Sequence, residues 1–267
     1  MIIIISSWLR TAAITLAVLA ISIGCTPKKT PIPITPPAGW PDSASDFTVE
    51  WTGEPGIDLT FGAAVVVRAY MESYYLAHIT GDNRFLYPGF QQSVDADDPS
   101  GPDGTHELWP DTNSPDTWVG TFQHHLLRVE QSGRDVMVVG CVYTGDSGGL
   151  VGDGLQPHRG GLGPAAAVST FRVMLHTPEG DQPSLPAQHG PSRAPFDNVF
   201  DGWRVTNFQG GYLLLAHWEG NYTDKQACMA RYGDAARNSK LVVGATYPKS
   251  AFPVLPAVPG WPARSKS

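Results

Sequence analysis

Basic side chains are scarce in this chain: 18 lysines and arginines stand against 25 aspartates and glutamates, a formal charge of −7. A nucleic-acid surface needs the opposite balance, because its affinity rests on neutralising phosphates. No nucleic-acid partner is therefore expected. Cofactor and metal signatures are lacking too. There is no Walker-type phosphate loop, no G-x-G-x-x-G after a strand pattern and no Cys/His spacing that fits zinc. No cofactor and no metal are expected. Cysteine is down to three residues, and no internal repeat is visible. Nor does any unbroken apolar run reach the roughly 20 residues that cross a hydrocarbon core. The longest begins at Thr11, and Ser6, Ser7 and Arg10 cut it off from the apolar residues before it.

What is present begins with "MIIIISSWLRTAAITLAVLAISIGC". One positive charge, an apolar run from Thr11 to Ile23 and small residues before Cys25 are the parts of a secretory signal peptide over residues 1–24, an uncleaved anchor being the alternative. The end of the run, Ile21-Ser22-Ile23-Gly24-Cys25, resembles the lipobox of bacterial lipoproteins, with Ser22 where that family prefers Leu. The resemblance implies that Cys25 is lipidated and becomes the new N-terminus. The chain would then be exported and held at the outer face of the cytoplasmic membrane. From Cys25 to Asp46 six prolines block helix and ladder, so the segment reads as a semi-rigid tether. Residues 248–267 are also proline-rich and read as an extended tail, which leaves one domain over 47–247.

With Cys25 carrying lipid, Cys141 and Cys228 remain as a pair for an oxidising compartment. A bond between them closes a loop of roughly 85 residues and contributes about 4 kcal/mol on the chain-entropy account. Two buried free thiols are the alternative.

The 29 glycines and 24 prolines make much of the chain loop. Between the loops, "TFGAAVVVRAYMESYYLAHITGD" has helical spacing, with Thr60 as cap, Gly81 as stop and Glu72 on a solvated side. Val66, Tyr70, Tyr74 and Ala77 fall on one stripe. "NRFLYPGFQQSV" reads as a short helical segment broken at Pro88. "TWVGTFQHHLLRVEQSGRDVMVVGCVYTG" reads as two strands joined by a turn at Ser132-Gly133, followed by strands in "AAAVSTFRVMLHT" and "DGWRVTNFQ". "GYLLLAHW" is a fifth strand or a short helix. Helices followed by antiparallel strands make an α+β pattern, with long loops at 94–116, 145–165 and 177–198.

The helix, the hairpin "LLRVEQSGRDVMVVGCVY" and the late "GWRVTNFQ" together resemble the NTF2-like superfamily, and the lipobox and tether are similar to those of exported actinobacterial lipoproteins that carry such a domain. The resemblance implies N-terminal helices packed across a curved antiparallel sheet to form a cone. Some NTF2-like enzymes use Asp, His and Tyr inside the cone for proton transfer. Tyr70, Tyr74 and His124 are the matching candidates for a pocket here, with no visible carboxylate partner. His124 and His125 are adjacent on a strand and point to opposite faces, so they do not share a metal; one is expected inside and the other at the surface.

"GDSGG", Gly145 to Gly149, resembles the nucleophile signature of trypsin-like serine proteases, which implies Ser147 as nucleophile. That mechanism needs a His base and an orienting Asp. In that family both come earlier in the chain, on a β-barrel. The upstream histidines, His78, His106, His124 and His125, lack the family's surroundings, and too few strands precede residue 117 for a barrel. The glycines fit a loop that needs positive φ. "DADDPSGPDGTHE" places Asp95, Asp97 and Asp103 as oxygen donors, but Ser100 and His106 stand where a calcium loop needs Gly and Glu, so a solvated acidic loop is expected. The expectation is a non-catalytic, lipid-anchored envelope protein that binds a protein partner or a small apolar ligand, the alternative being an exported enzyme: a hydrolase using Ser147, or one working in the cone pocket.

Overall fold

The computed structural model describes residues 39–95, 108–159, 163–180 and 185–264. The expected signal peptide, Cys25, most of the 25–46 tether and the expected acidic loop beyond Asp95 lie outside the described residues. In chain order the regular elements are β1 (Phe47–Gly53), α1 (Gly62–Thr80), α2 (Phe90–Ser93), β2 (Trp118–Ser132) and β3 (Asp135–Tyr143). They continue with β4 (Ser147–Val151), β5 (Gly154–Pro157), β6 (Val168–His176), β7 (Arg204–Gly210) and α3 (Asn221–Asn238). The fold is α+β.

The strands form one sheet in the order β5-β4-β2-β3-β6-β7, antiparallel throughout, with β1 added in parallel along β2. Register shifts at Leu126/Arg128 and at Met174/Leu175 put bulges into the ladders. Bulges bend strands and increase twist, and this sheet is strongly curled into a half-barrel. Gly140 shows how the bend is accommodated. A Cβ there would lie 2.5 Å from the ring of Phe171 and 2.6 Å from the His125 carbonyl, so only glycine lets the Phe171 ring lie across the strand.

α1 lies in the concavity. Every residue from Ala63 to Ala77 is buried, and a helix buried on all sides needs cover on all sides. The sheet supplies Phe122, Leu126, Val138, Phe171 and Val173 to the shared core; Tyr87, Phe90, Phe200 and Trp261 come from other segments. Gly81, at φ 66°, ends the helix in the left-handed conformation, as its sequence position indicates. The cap expected at Thr60 does not form. Phe61 holds the N-cap position without a side-chain bond, and the Thr60 hydroxyl donates to Asp58 at 2.6 Å.

Glu72 is also corrected: it is buried, not solvated. Trp51 Nε1 donates to its Oε1 at 2.8 Å, while Trp261 Nε1 and Tyr87 Oη donate to its Oε2 at 2.6 and 3.1 Å. Arg68, one turn earlier, donates to the carbonyls of Leu59, Gln188 and Gly260 and stacks over Trp261. Arg68 and Glu72 thus pin the segment after residue 247 onto α1. That segment also bridges Val258 to Glu50 and gives the Trp51 N–H its acceptor, the Val258 carbonyl at 2.8 Å.

The convex face of the sheet is covered by α3, which packs on β6 and β3. Cys141 and Cys228 are disulfide-bonded, with Cα atoms 5.4 Å apart, and tie β3 to α3. Around the bond Tyr143, Val168, Tyr232 and Ala236 form a second, smaller cluster. "GYLLLAHW" is neither strand nor helix but turns leading into α3. The glycine-rich stretch 145–165 contains the β4–β5 hairpin, whose tight turn has Gly152 at φ 59°.

Candidate functional site

Tyr70, Tyr74 and His124, the candidate pocket residues, are core residues. Tyr70 donates its hydroxyl to the Leu108 carbonyl at 3.0 Å and packs with Tyr74 and Phe208. His124 stacks on Trp51 at 4.3 Å between ring centroids, and its Nε2 lies 3.1 Å from the hydroxyl of Tyr75. Burial pushes its pKa down to about 3, so the ring is neutral. His125 points to the opposite face, as the strand period requires, yet it is buried instead of lying at the surface. Its Nδ1 is 2.8 Å from Thr52 Oγ1 and its Nε2 is 3.1 Å from Glu54.

Ser147 is fully buried, and its hydroxyl donates to the Thr144 carbonyl at 2.8 Å. His158 Nδ1 is 3.3 Å from the same oxygen, and burial holds this imidazole down to about 3. The following glycines have packing reasons. A Cβ on Gly148 would lie 2.5 Å from the Gln156 carbonyl and 2.6 Å from the Phe252 ring; one on Gly149 would lie 2.6 Å from His158 Nε2. Gly148 and Gly149 are thus accounted for by the close approach of Gln156, Phe252 and His158 around the β4–β5 hairpin.

Open space lies elsewhere, where α1 begins and the β2–β3 hairpin ends. A cavity of about 550 Å³ is lined by Phe61, Val65 and Val66 of the α1 start, Leu185, Val199 and Trp203, with Gln131 and Gln188 among its polar groups. None of Tyr70, Tyr74 and His124 lines it. Pro178 and Asp201 also line a neighbouring, more polar cavity of about 730 Å³ with Arg134, His176 and Arg204. Arg134, His176 and Arg204 of that second space have acidic partners. Arg134 meets Glu179 at 3.1 Å, His176 meets Asp135 at 2.8 Å, and Arg204 meets Asp95. Asp201, shared by both spaces, has φ 49°, the only positive φ outside glycine among the described residues. Such conformations concentrate at functional sites.

The two cavities form a recess of mixed apolar and polar walls beside a more highly charged one. Of its lining, Val66 belongs to the stripe visible in the sequence, whereas Trp203 was readable only as the start of a strand. It sits instead just before β7, after the left-handed Asp201-Gly202 pair. That Asp-Gly turn followed by Trp is the signal that could have flagged it. No family model matches this chain, and no curated protein or solved structure matches it either.

Proposed function

We propose that this chain is an exported, lipid-anchored envelope protein whose NTF2-like domain binds a small ligand with an apolar body. The observation that carries the reading is the recess of about 550 Å³ walled by Phe61, Val65, Val66, Leu185, Val199 and Trp203. Ligand sites are typically concave, with apolar walls and a few polar groups; Thr60, Gln131, Thr177, Gln188 and Asp201 supply the polar groups here. The curled sheet with α1 across its concave side supports the NTF2-like reading; the parallel β1 and the outer α3 are additions to it. The Cys141–Cys228 bond supports an oxidising compartment, and with it export.

A neutral apolar fluorophore, N-phenyl-1-naphthylamine, tests the recess. Saturable binding at one site is expected, weakened roughly tenfold in Trp203→Ala through lost aromatic contact. Equal affinity in the variant, or no saturation, would remove the recess from the account.

A further inference from the structure

Far from this recess in sequence, where α3 ends, a smaller cavity of about 230 Å³ is lined by Arg159, Arg237 and Ser239 together with Leu241, Val242 and Val243. Arg159 is the unusual member. Its Nε and Nη2 are both buried and have no hydrogen-bond partner among the described residues. These two nitrogens form one edge of the guanidinium, a pair of parallel donors that matches two oxygens of one oxyanion. Buried donors are rarely left unmet, and an orphaned pair calls for a missing acceptor.

No carboxylate among the described residues supplies it. Asp146 feels the charge of Arg159, which partly offsets the upward push of burial on its pKa. Its side chain is engaged by Gln123 Nε2 at 3.3 Å and by Tyr143, and it makes no hydrogen bond to the orphaned edge. Arg237 pairs with Asp234 in an exposed contact three residues apart on α3. Such pairs contribute little, so this guanidinium can turn to a better partner. Ser239 Oγ accepts from the Leu241 N–H at 3.3 Å, which leaves its proton for a ligand. The carbonyl end of α3 opposes an anion here, but with a fractional charge against two full ones.

We propose that Arg159, Arg237 and Ser239 bind the phosphate group of a phosphate ester, whose apolar substituent lies against Leu241, Val242 and Val243. Two guanidiniums match a phosphate's charge. Val242 and Val243, exposed at 62% and 37%, offer apolar surface beside it. The ester is either a soluble molecule or a phospholipid headgroup at the membrane surface.

Calorimetric titration of the full chain with hexyl phosphate and with inorganic phosphate tests the site. Hexyl phosphate binds roughly tenfold more tightly than inorganic phosphate if its chain meets the valines. Arg159→Gln weakens both at least roughly tenfold. Arg159→Lys keeps the charge but loses the paired donors and weakens them as well, which covers the case in which Arg159→Gln fails to fold. Asp146→Asn removes a competing negative charge and tightens both. Flotation with phosphatidylcholine vesicles, with and without phosphatidic acid, separates the sources. An Arg159-dependent gain on phosphatidic acid assigns a headgroup, and its absence alongside hexyl phosphate binding assigns a soluble ester. Wild type and Arg159→Lys with equal affinities, or no binding of either probe and no Arg159-dependent gain on vesicles, overturns the proposal.

Discussion

The two faces of the curled sheet are covered by helices in different ways. On the concave side α1 is buried all round, wedged by aromatic rings, and crossed by the Arg68/Glu72 pair that holds Trp51, Tyr87 and Trp261. On the convex side α3 buries a stripe of Asp224, Cys228, Tyr232, Gly233 and Ala236 over a small cluster, and a covalent bond to β3 adds to it. The inner helix is held by burial and by the hydrogen bonds of Arg68 and Glu72, with no covalent tie. The outer one is amphipathic, has little apolar surface to offer, and relies on a disulfide that forms only under oxidising conditions. Such a division is expected to leave the inner layer, and the recess at the start of α1, standing when the outer tie is broken.

Breaking the inner side has the largest expected effect. Glu72→Ala leaves the Trp51, Tyr87 and Trp261 donors without their acceptor. Each buried donor left unmet costs about 1–3 kcal/mol, and urea unfolding should show one transition moved to much lower denaturant. A shift of only a few tenths would mean that the cluster is not buried as a unit.

Reducing Cys141–Cys228 comes next. The bond spans 87 residues, and its loss is expected to cost about 2–4 kcal/mol. The loss should be local: hydrogen exchange should speed up in α3, while α1, β2 and β6 stay protected. Equal deprotection of α1 would contradict the division between the faces.

The smallest effect is on pH dependence. His124 and His158 are pushed down from 6.5 to about 3 by burial. Their contribution to stability is present above pH 6.5 and is lost as pH falls from there toward 3. Glu72, pushed up from 4.5 to about 7 by burial, works in the other sense: its contribution is present below 4.5 and lost as pH rises through 7. Two groups outweigh one, so urea titrations should show lower stability at pH 5 than at pH 7.5. His124→Phe should flatten the difference, and greater stability at pH 5 would contradict the assignment.

The same contrast governs what the sequence discloses. α1, its Gly81 stop, the β2–β3 hairpin, β6 and β7 are legible because each carries its own period or turn residues. β1 alternates Phe47, Val49 and Trp51, but seven residues after a proline-rich segment are easily passed over. α3 is hidden by its polarity, although Cys228, Tyr232 and Ala236 recur at four-residue spacing. Glu72 misleads because a carboxylate on a helix is read as solvated, and the residues that bury it, Trp51 and Trp261, lie 21 and 189 positions away. For the same reason Trp203 and Arg159 could not be placed at cavities: the walls around them come from segments distant in the chain.

The most direct test of the account is the mass of the non-reduced chain isolated from its own host, measured first under native and then under denaturing conditions. The account predicts a chain beginning at Cys25 with a covalent lipid, two hydrogens short for the Cys141–Cys228 bond, carrying a small adduct that denaturation removes. An unlipidated chain of bare mass under both conditions would contradict it.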